Sequence, residues 1–204
     1  MTAPSDQPIP IAPGAFDRDR PVGLFYRLKV DFVGGGRLEV RTLLFLAGDR
    51  IVRAFPFGGG AAFDPARCNP DMCGSYRHGE GEITVRWDDG RVDEWRYART
   101  SEGFELDGDS FKPARPLAGA ELIGAWAGAG NVGNPAENVC TFDSGGTFTF
   151  GTGPGGAGGR YHLEGLTLSL AFADGSQVQR TLFAAGSGEP AGLICVEGDA
   201  YRRQ

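Results

Sequence analysis

Apolar and polar residues alternate along most of this chain, most cleanly in two stretches. From Tyr161 to Phe183 the apolar positions are Leu166, Leu168, Leu170 and Phe172, with Thr167 and Ser169 between them. From Tyr76 to Tyr97 they are Ile83, Val85 and Trp87, with Glu82, Thr84 and Arg86 between. A period of two belongs to a β-strand with one face on a core. Each stretch then meets an Asp-Gly pair, Asp174-Gly175 or Asp89-Gly90, which supplies the positive φ of a tight hairpin turn before a second strand. The tyrosines Tyr76 and Tyr161, the aromatics Trp87 and Phe172, and the glycines Gly90 and Gly175 all lie 85 residues apart. The pattern predicts an all-β protein of two homologous antiparallel meander or barrel-like modules related by internal duplication.

The remaining segments fit that plan. Residues 1–22, rich in Pro and Ala without a period, read as an extended N-terminal arm. The first module runs over 23–116 and the second over 117–204, with Pro113 and Pro116 at the boundary. The first strand sets Leu24, Tyr26, Leu28, Val30 and Phe32 on its core face and Arg27, Lys29 and Asp31 on the other. Gly34-Gly35-Gly36 turns it into Leu38–Leu46, alternating through Val40, Thr42 and Leu44, and Ile51–Phe57 completes a meander. The loop from Gly58 to Ser75 is long and varied, whereas its counterpart, Gly151 to Gly159, is short and glycine-rich. Phe63–Arg67 predicts one helical turn, with Asp64 as cap and Pro65 at its first position. Asp107-Gly108 and Gly198-Asp199 mark the last hairpin of each module.

Composition narrows the partners. The 34 Gly and 13 Pro suit a turn-rich β protein, and 41% apolar with 23% charged residues is a globular balance. Residues 1–116 hold 16 basic against 18 acidic side chains and residues 117–204 hold 4 against 8, so no basic surface for nucleic acid is expected. No apolar run reaches the ~20 residues of a membrane helix. The start, MTAPSDQPIPIAPG, has no basic segment followed by an apolar one. The expectation is a cytoplasmic chain, or an exported one whose signal has been removed or is non-classical.

Gly124-Ala125-Trp126, Phe142-Asp143-Ser144-Gly145-Gly146, Gly159-Arg160-Tyr161, Ala173-Asp174-Gly175 and the terminal Tyr201-Arg202-Arg203 carry a resemblance. In these motifs residues 119–203 resemble the small bacterial lipocalin-like modules, and residues 24–112 do so more loosely, lacking the Gly-x-Trp. The resemblance implies an up-and-down barrel or a tightly closed sandwich, with room for an apolar cavity. At this module length the interiors can equally be filled by side chains.

Candidate chemistry is sparse. Cys68, Asp71, Cys73 and His78 offer ligand types that suit zinc or copper, but the Cys-x4-Cys-x4-His spacing is not that of a zinc knuckle, and no metal is assigned. Cys68 and Cys73 form a loop disulfide in an oxidising compartment and are otherwise free thiols. Cys140 and Cys195 fall in strands, where they pack as small apolar groups or bridge neighbouring strands. His78 shares the phase of Tyr76 and points to the interior or the rim, whereas His162 faces solvent. Trp87, Trp95 and Trp126 fill the core or stack on a ligand. The pairs Asp88-Asp89 and Asp93-Glu94 flank a turn and read as solvated, and Gly153–Gly159 lacks the lysine and helix of a phosphate cradle. No nucleophile–base set is recognisable, so the chain reads as neither an enzyme nor a cofactor carrier.

Two functions follow. One is a binding module for a small apolar ligand, with Tyr76, His78, Trp87, Trp95 and Trp126 as candidate contacts and His78 and the Cys68–Cys73 loop at its mouth. The other is a structural protein that joins protein partners, or copies of itself, through the N-terminal arm and unpaired edge strands.

Overall fold

The computed structural model describes residues 8–31, 37–53, 62–129, 139–151, 156–186 and 191–204. The predicted turn at Gly34-Gly35-Gly36, the strand positions Phe32 and Ala54–Phe57, and the stretch from Gly58 to Ala61 lie outside the described residues.

The arm supplies β1 (Ile9–Pro10) and β2 (Ala15–Asp17). Next come β3 (Arg20–Asp31), β4 (Arg37–Leu46), β5 (Arg50–Arg53), β6 (Ala62–Phe63) and β7 (Cys73–Gly79). The module ends with β8 (Glu82–Trp87), β9 (Val92–Arg99), β10 (Phe104–Leu106) and β11 (Asp109–Pro113). A four-residue helix, α1 (Gly119–Leu122), opens the second module. It continues with β12 (Gly124–Gly128), β13 (Val139–Phe142), β14 (Thr147–Phe150) and β15 (Ala157–Glu164). The last strands are β16 (Thr167–Phe172), β17 (Gln177–Ala185), β18 (Leu193–Val196) and β19 (Asp199–Arg203). No helix among the described residues is long and apolar enough to cross a membrane.

Each module is an eight-stranded antiparallel barrel. In the first, β3, β4, β5 and β7 to β11 pair in turn, and β11 returns to β3 through Lys112 opposite Tyr26 and Pro113 opposite Phe25. In the second, β12 to β19 pair in order and close through Trp126 opposite Arg203. Closure corrects the expectation of open edge strands, since both ends of each meander are paired with one another.

The duplication reaches individual hydrogen bonds. Tyr97 N donates to Gly81 O as Leu182 N does to Leu166 O, and Asp88 N donates to Cys73 O as Ala173 N does to Gly158 O. Asp89 and Asp174 each accept at Oδ1 from the backbone N–H two residues on. At these turns only the glycines Gly90 and Gly175 have positive φ. The final hairpins instead turn on Asp107-Gly108 and Glu197-Gly198, with positive φ at both residues, which is a two-residue type I′ connection.

The arm folds on its own module. β1 pairs with β6, β2 pairs with β3, and Phe16 meets Phe25 and Phe104 at 5.1 and 6.3 Å between ring centroids. The predicted helical turn is a 3₁₀ turn over Pro65–Arg67, capped by Asp64, whose side chain accepts from Ala66 N at 3.0 Å. The core phase of β3 differs from the expectation. Phe25 faces the interior, Arg27 on the same side is buried, and Val30 is exposed. Leu24 and Tyr26 are buried too, so residues 24–27 have no solvent face from which alternation could be read.

Candidate functional site

The two interiors differ because a few equivalent positions carry side chains of different size. The first is packed with aromatic rings. Phe104 lies 4.9 Å from Phe25, 5.9 Å from Phe45, 5.5 Å from Tyr97 and 5.4 Å from Phe111. Trp87 and Trp95 meet at 6.1 Å, with Trp87 Nε1 donating to Asp93 at 2.7 Å. The matching ladders place Ile194 where the first barrel has Phe104, Arg180 where it has Trp95, and Phe172 where it has Trp87. Each exchange removes volume from the second interior, or sends the side chain to the rim.

A cavity of about 300 Å³ occupies that space in the second barrel. Phe142, Phe150, Leu168, Leu170, Phe172 and Ile194 supply most of its wall, together with the Cys140 thiol. Burial pushes that thiol up to about 12, so it stays protonated at neutral pH. The polar groups gather where β18 turns into β19. Arg180 pairs with Glu197 at 2.8 Å, both partly solvent-exposed, and Asp199 and Tyr201 stand beside them. At the opposite end Leu122 and Trp126 are fully buried, and Trp126 Nε1 donates to Leu122 O at 2.8 Å. An apolar chamber with polar groups at one end suits a small molecule whose body is apolar.

The sequence-predicted residues lie elsewhere. Tyr76 and Trp87 are buried in the first core, Trp95 is half-buried against it, and Trp126 is buried in the second. None of these, nor His78, lines the cavity in the second barrel. Tyr76 and His78 lie under the arm: Arg20 Nε donates to the Tyr76 hydroxyl at 2.8 Å, and Tyr97 Oη donates to Asp19 O at 2.6 Å. His78 packs edge-on against Tyr97 at 4.7 Å, and burial, helped by the charge of Arg20, lowers its pKa. Among the described residues its buried Nε2 has no hydrogen-bond partner.

Cys68 and Cys73 are joined as a disulfide with Cα atoms 6.2 Å apart, while Cys140 and Cys195 are free and buried. Cys73 begins β7 and His78 stands near its end. Five residues of extended strand separate Cα atoms by about 17 Å, so His78 does not join the cysteines at one mouth or one metal. Among the described residues no group of three or more His, Cys, Asp or Glu side chains could hold a metal ion. Asp88 is held by Arg50 at 2.6 and 2.9 Å, and Asp89 by Arg91 at 2.6 Å. Denatured without reductant, the chain is expected to take up iodoacetamide only at Cys140 and Cys195, and at all four cysteines after reduction. Mass spectrometry reads the difference, and four additions before reduction would rule the disulfide out.

Sequence reasoning missed Ile194, Arg180, Glu197, Asp199 and Tyr201. The signal lay in the alignment of the two copies, where Phe104 against Ile194 is a large-to-small exchange on a core strand. The chain matches no protein-family model, no curated protein and no solved structure.

Proposed function

We propose that this chain is a non-enzymatic binding module whose second barrel holds a small, mainly apolar molecule. The cavity of about 300 Å³ carries the reading, because a module that needed only to fold could have filled it as its twin is filled. The resemblance of residues 119–203 to lipocalin-like modules supports the same view. The protonated Cys140 thiol is a poor nucleophile, which argues for binding over catalysis. The reading moves the ligand from the first module, with Tyr76, His78 and Trp87, to the second. Assembly through the arm and edge strands has less in its favour, since both sheets close and the arm pairs with its own module.

Ile194→Phe installs the residue that the first barrel carries at the equivalent position. It is expected to abolish binding of 1-hexanol, followed by NMR shifts of second-module amides, while leaving the folded spectrum and the thermal midpoint intact or raised. Undiminished 1-hexanol binding by a folded Ile194→Phe chain would exclude the cavity as the site.

A further inference from the structure

We propose that the second barrel selects a cation, an alkylamine or alkylguanidinium whose charged end rests on Asp199 and whose apolar chain lies in the cavity. The proposal builds on the binding reading above and gives it a ligand class. It comes from Arg27, the one charged side chain among the described residues that the first barrel draws into its interior. Arg27 is buried on the same face of β3 as Phe25, its guanidinium paired with Asp109 and set over the Phe111 ring at 5.8 Å. A guanidinium is kept out of water only where a counterion and a suitable surface receive it, and a carboxylate with an aromatic face supplies both.

The second barrel keeps the receiving groups and lacks the cation. Asp109 and Asp199 are the first residues after the matching type I′ turns, which makes Phe111 and Tyr201 equivalent two residues on. Lys112 stands opposite Tyr26, and Arg202 opposite Ala127. One residue further along each strand, Arg27 in the first barrel corresponds to Gly128, which stands opposite Tyr201. The second barrel thus has the carboxylate and the ring, with a glycine where the arginine would begin.

The charges around this position favour the same ligand. Arg180 is engaged by Glu197 at 2.8 Å, so the pair contributes little net charge. Among the described residues the Asp199 carboxylate makes no ion pair or hydrogen bond, and neither does the Tyr201 hydroxyl. Both line the cavity. The polar end therefore has one uncompensated negative charge beside an aromatic ring, which attracts a cation and repels a carboxylate or phosphate. Asp199 is exposed to water, which limits the selectivity to about tenfold over a neutral ligand of equal length.

The full-length ¹⁵N-labelled chain, titrated with n-hexylguanidinium, n-hexylammonium, 1-hexanol and hexanoate, tests this. Both cations are expected to bind about tenfold more tightly than 1-hexanol, and hexanoate more weakly still. Shifts should centre on the amides of Gly128, Asp199 and Tyr201. Asp199→Asn is expected to bring both cations down to the affinity of 1-hexanol, while Asp199→Glu retains the preference. Gly128→Arg supplies the cation from the chain and is expected to block n-hexylguanidinium. Equal binding of cation and alcohol, or a preference that survives Asp199→Asn, overturns the selectivity and leaves the binding reading standing. If no member of the series shifts the second-module amides, the binding reading falls and the proposal with it.

Discussion

Gly159→Ala is expected to destabilise the chain by about 3 kcal/mol, at the upper end of overpacking costs. For a chain of this length that lowers the thermal midpoint by about 6–12 °C. A Cβ at Gly159 would lie 2.0 Å from Ala171 O and 2.9 Å from both Ala171 C and Phe172 Cα. All three are backbone atoms of the paired strand β16, so no side chain can swing aside to make room. The φ of Gly159 is not in the left-handed region, and the penalty is one of contact, not of conformation. Glycine serves here because two backbones approach closely where a barrel strand bends. Gly74 occupies the equivalent place in the first module, where a Cβ would fall 2.5 Å from Arg86 O, and Gly74→Ala is expected to act in the same direction. Gly192→Ala is the control. Among the described residues a Cβ there meets nothing within 4 Å, and its midpoint is expected to stay within about 1–2 °C of the parent. Thermal unfolding followed by circular dichroism separates the cases, and a Gly159→Ala midpoint equal to that of Gly192→Ala would refute the close-approach account.

Alternation and Asp-Gly turns are local, and the 85-residue repeat from Tyr76 to Tyr161 carries them through β7, β8 and β9 and their counterparts, with the starts of β8 and β16 and of β9 and β17 in register. Barrel closure is not local. It depends on β11 returning to β3, and nothing in Lys112 or Tyr26 announces that pairing. The inward phase of β3 was hidden for a related reason, because Leu24, Phe25, Tyr26 and Arg27 are all buried and alternation needs a wet face. Alternation with Leu24, Tyr26 and Leu28 puts Arg27 on the solvent face, and its carboxylate partner Asp109 arrives only with the last strand of the module. The aromatic residues drew attention as ligand contacts, yet large rings fill space. The cavity lies where two of them are missing, with Ile194 in the place of Phe104 and Arg180 in the place of Trp95.

The tryptophans separate on that basis, and Trp126→Ala has the largest effect expected of any single side chain here. Trp126 is fully buried at the closed end of the second barrel, packed in the cluster that holds Leu117, Leu122 and Phe142. Its Nε1 donates to Leu122 O, and the Arg203 guanidinium lies 4.6 Å above its ring. Arg203 also donates to Ile123 O at 3.1 Å and to Ala191 O at 3.2 Å, so the ring supports the side chain that ties β19 to the end of α1. Truncation leaves a void that the closed barrel cannot collapse around and an unpaired buried carbonyl at Leu122. The expected loss is about 4–5 kcal/mol. Trp126→Phe keeps most of the volume and loses the N–H donor, for an expected loss of about 1–2 kcal/mol. Trp95→Ala, from a half-buried ring, is expected to cost less than Trp126→Ala. Denaturant unfolding monitored by amide NMR in each module reads all three. A Trp126→Ala chain whose second-module amides unfold at the parent's denaturant concentration would mean that this ring does not hold the closed end of the barrel.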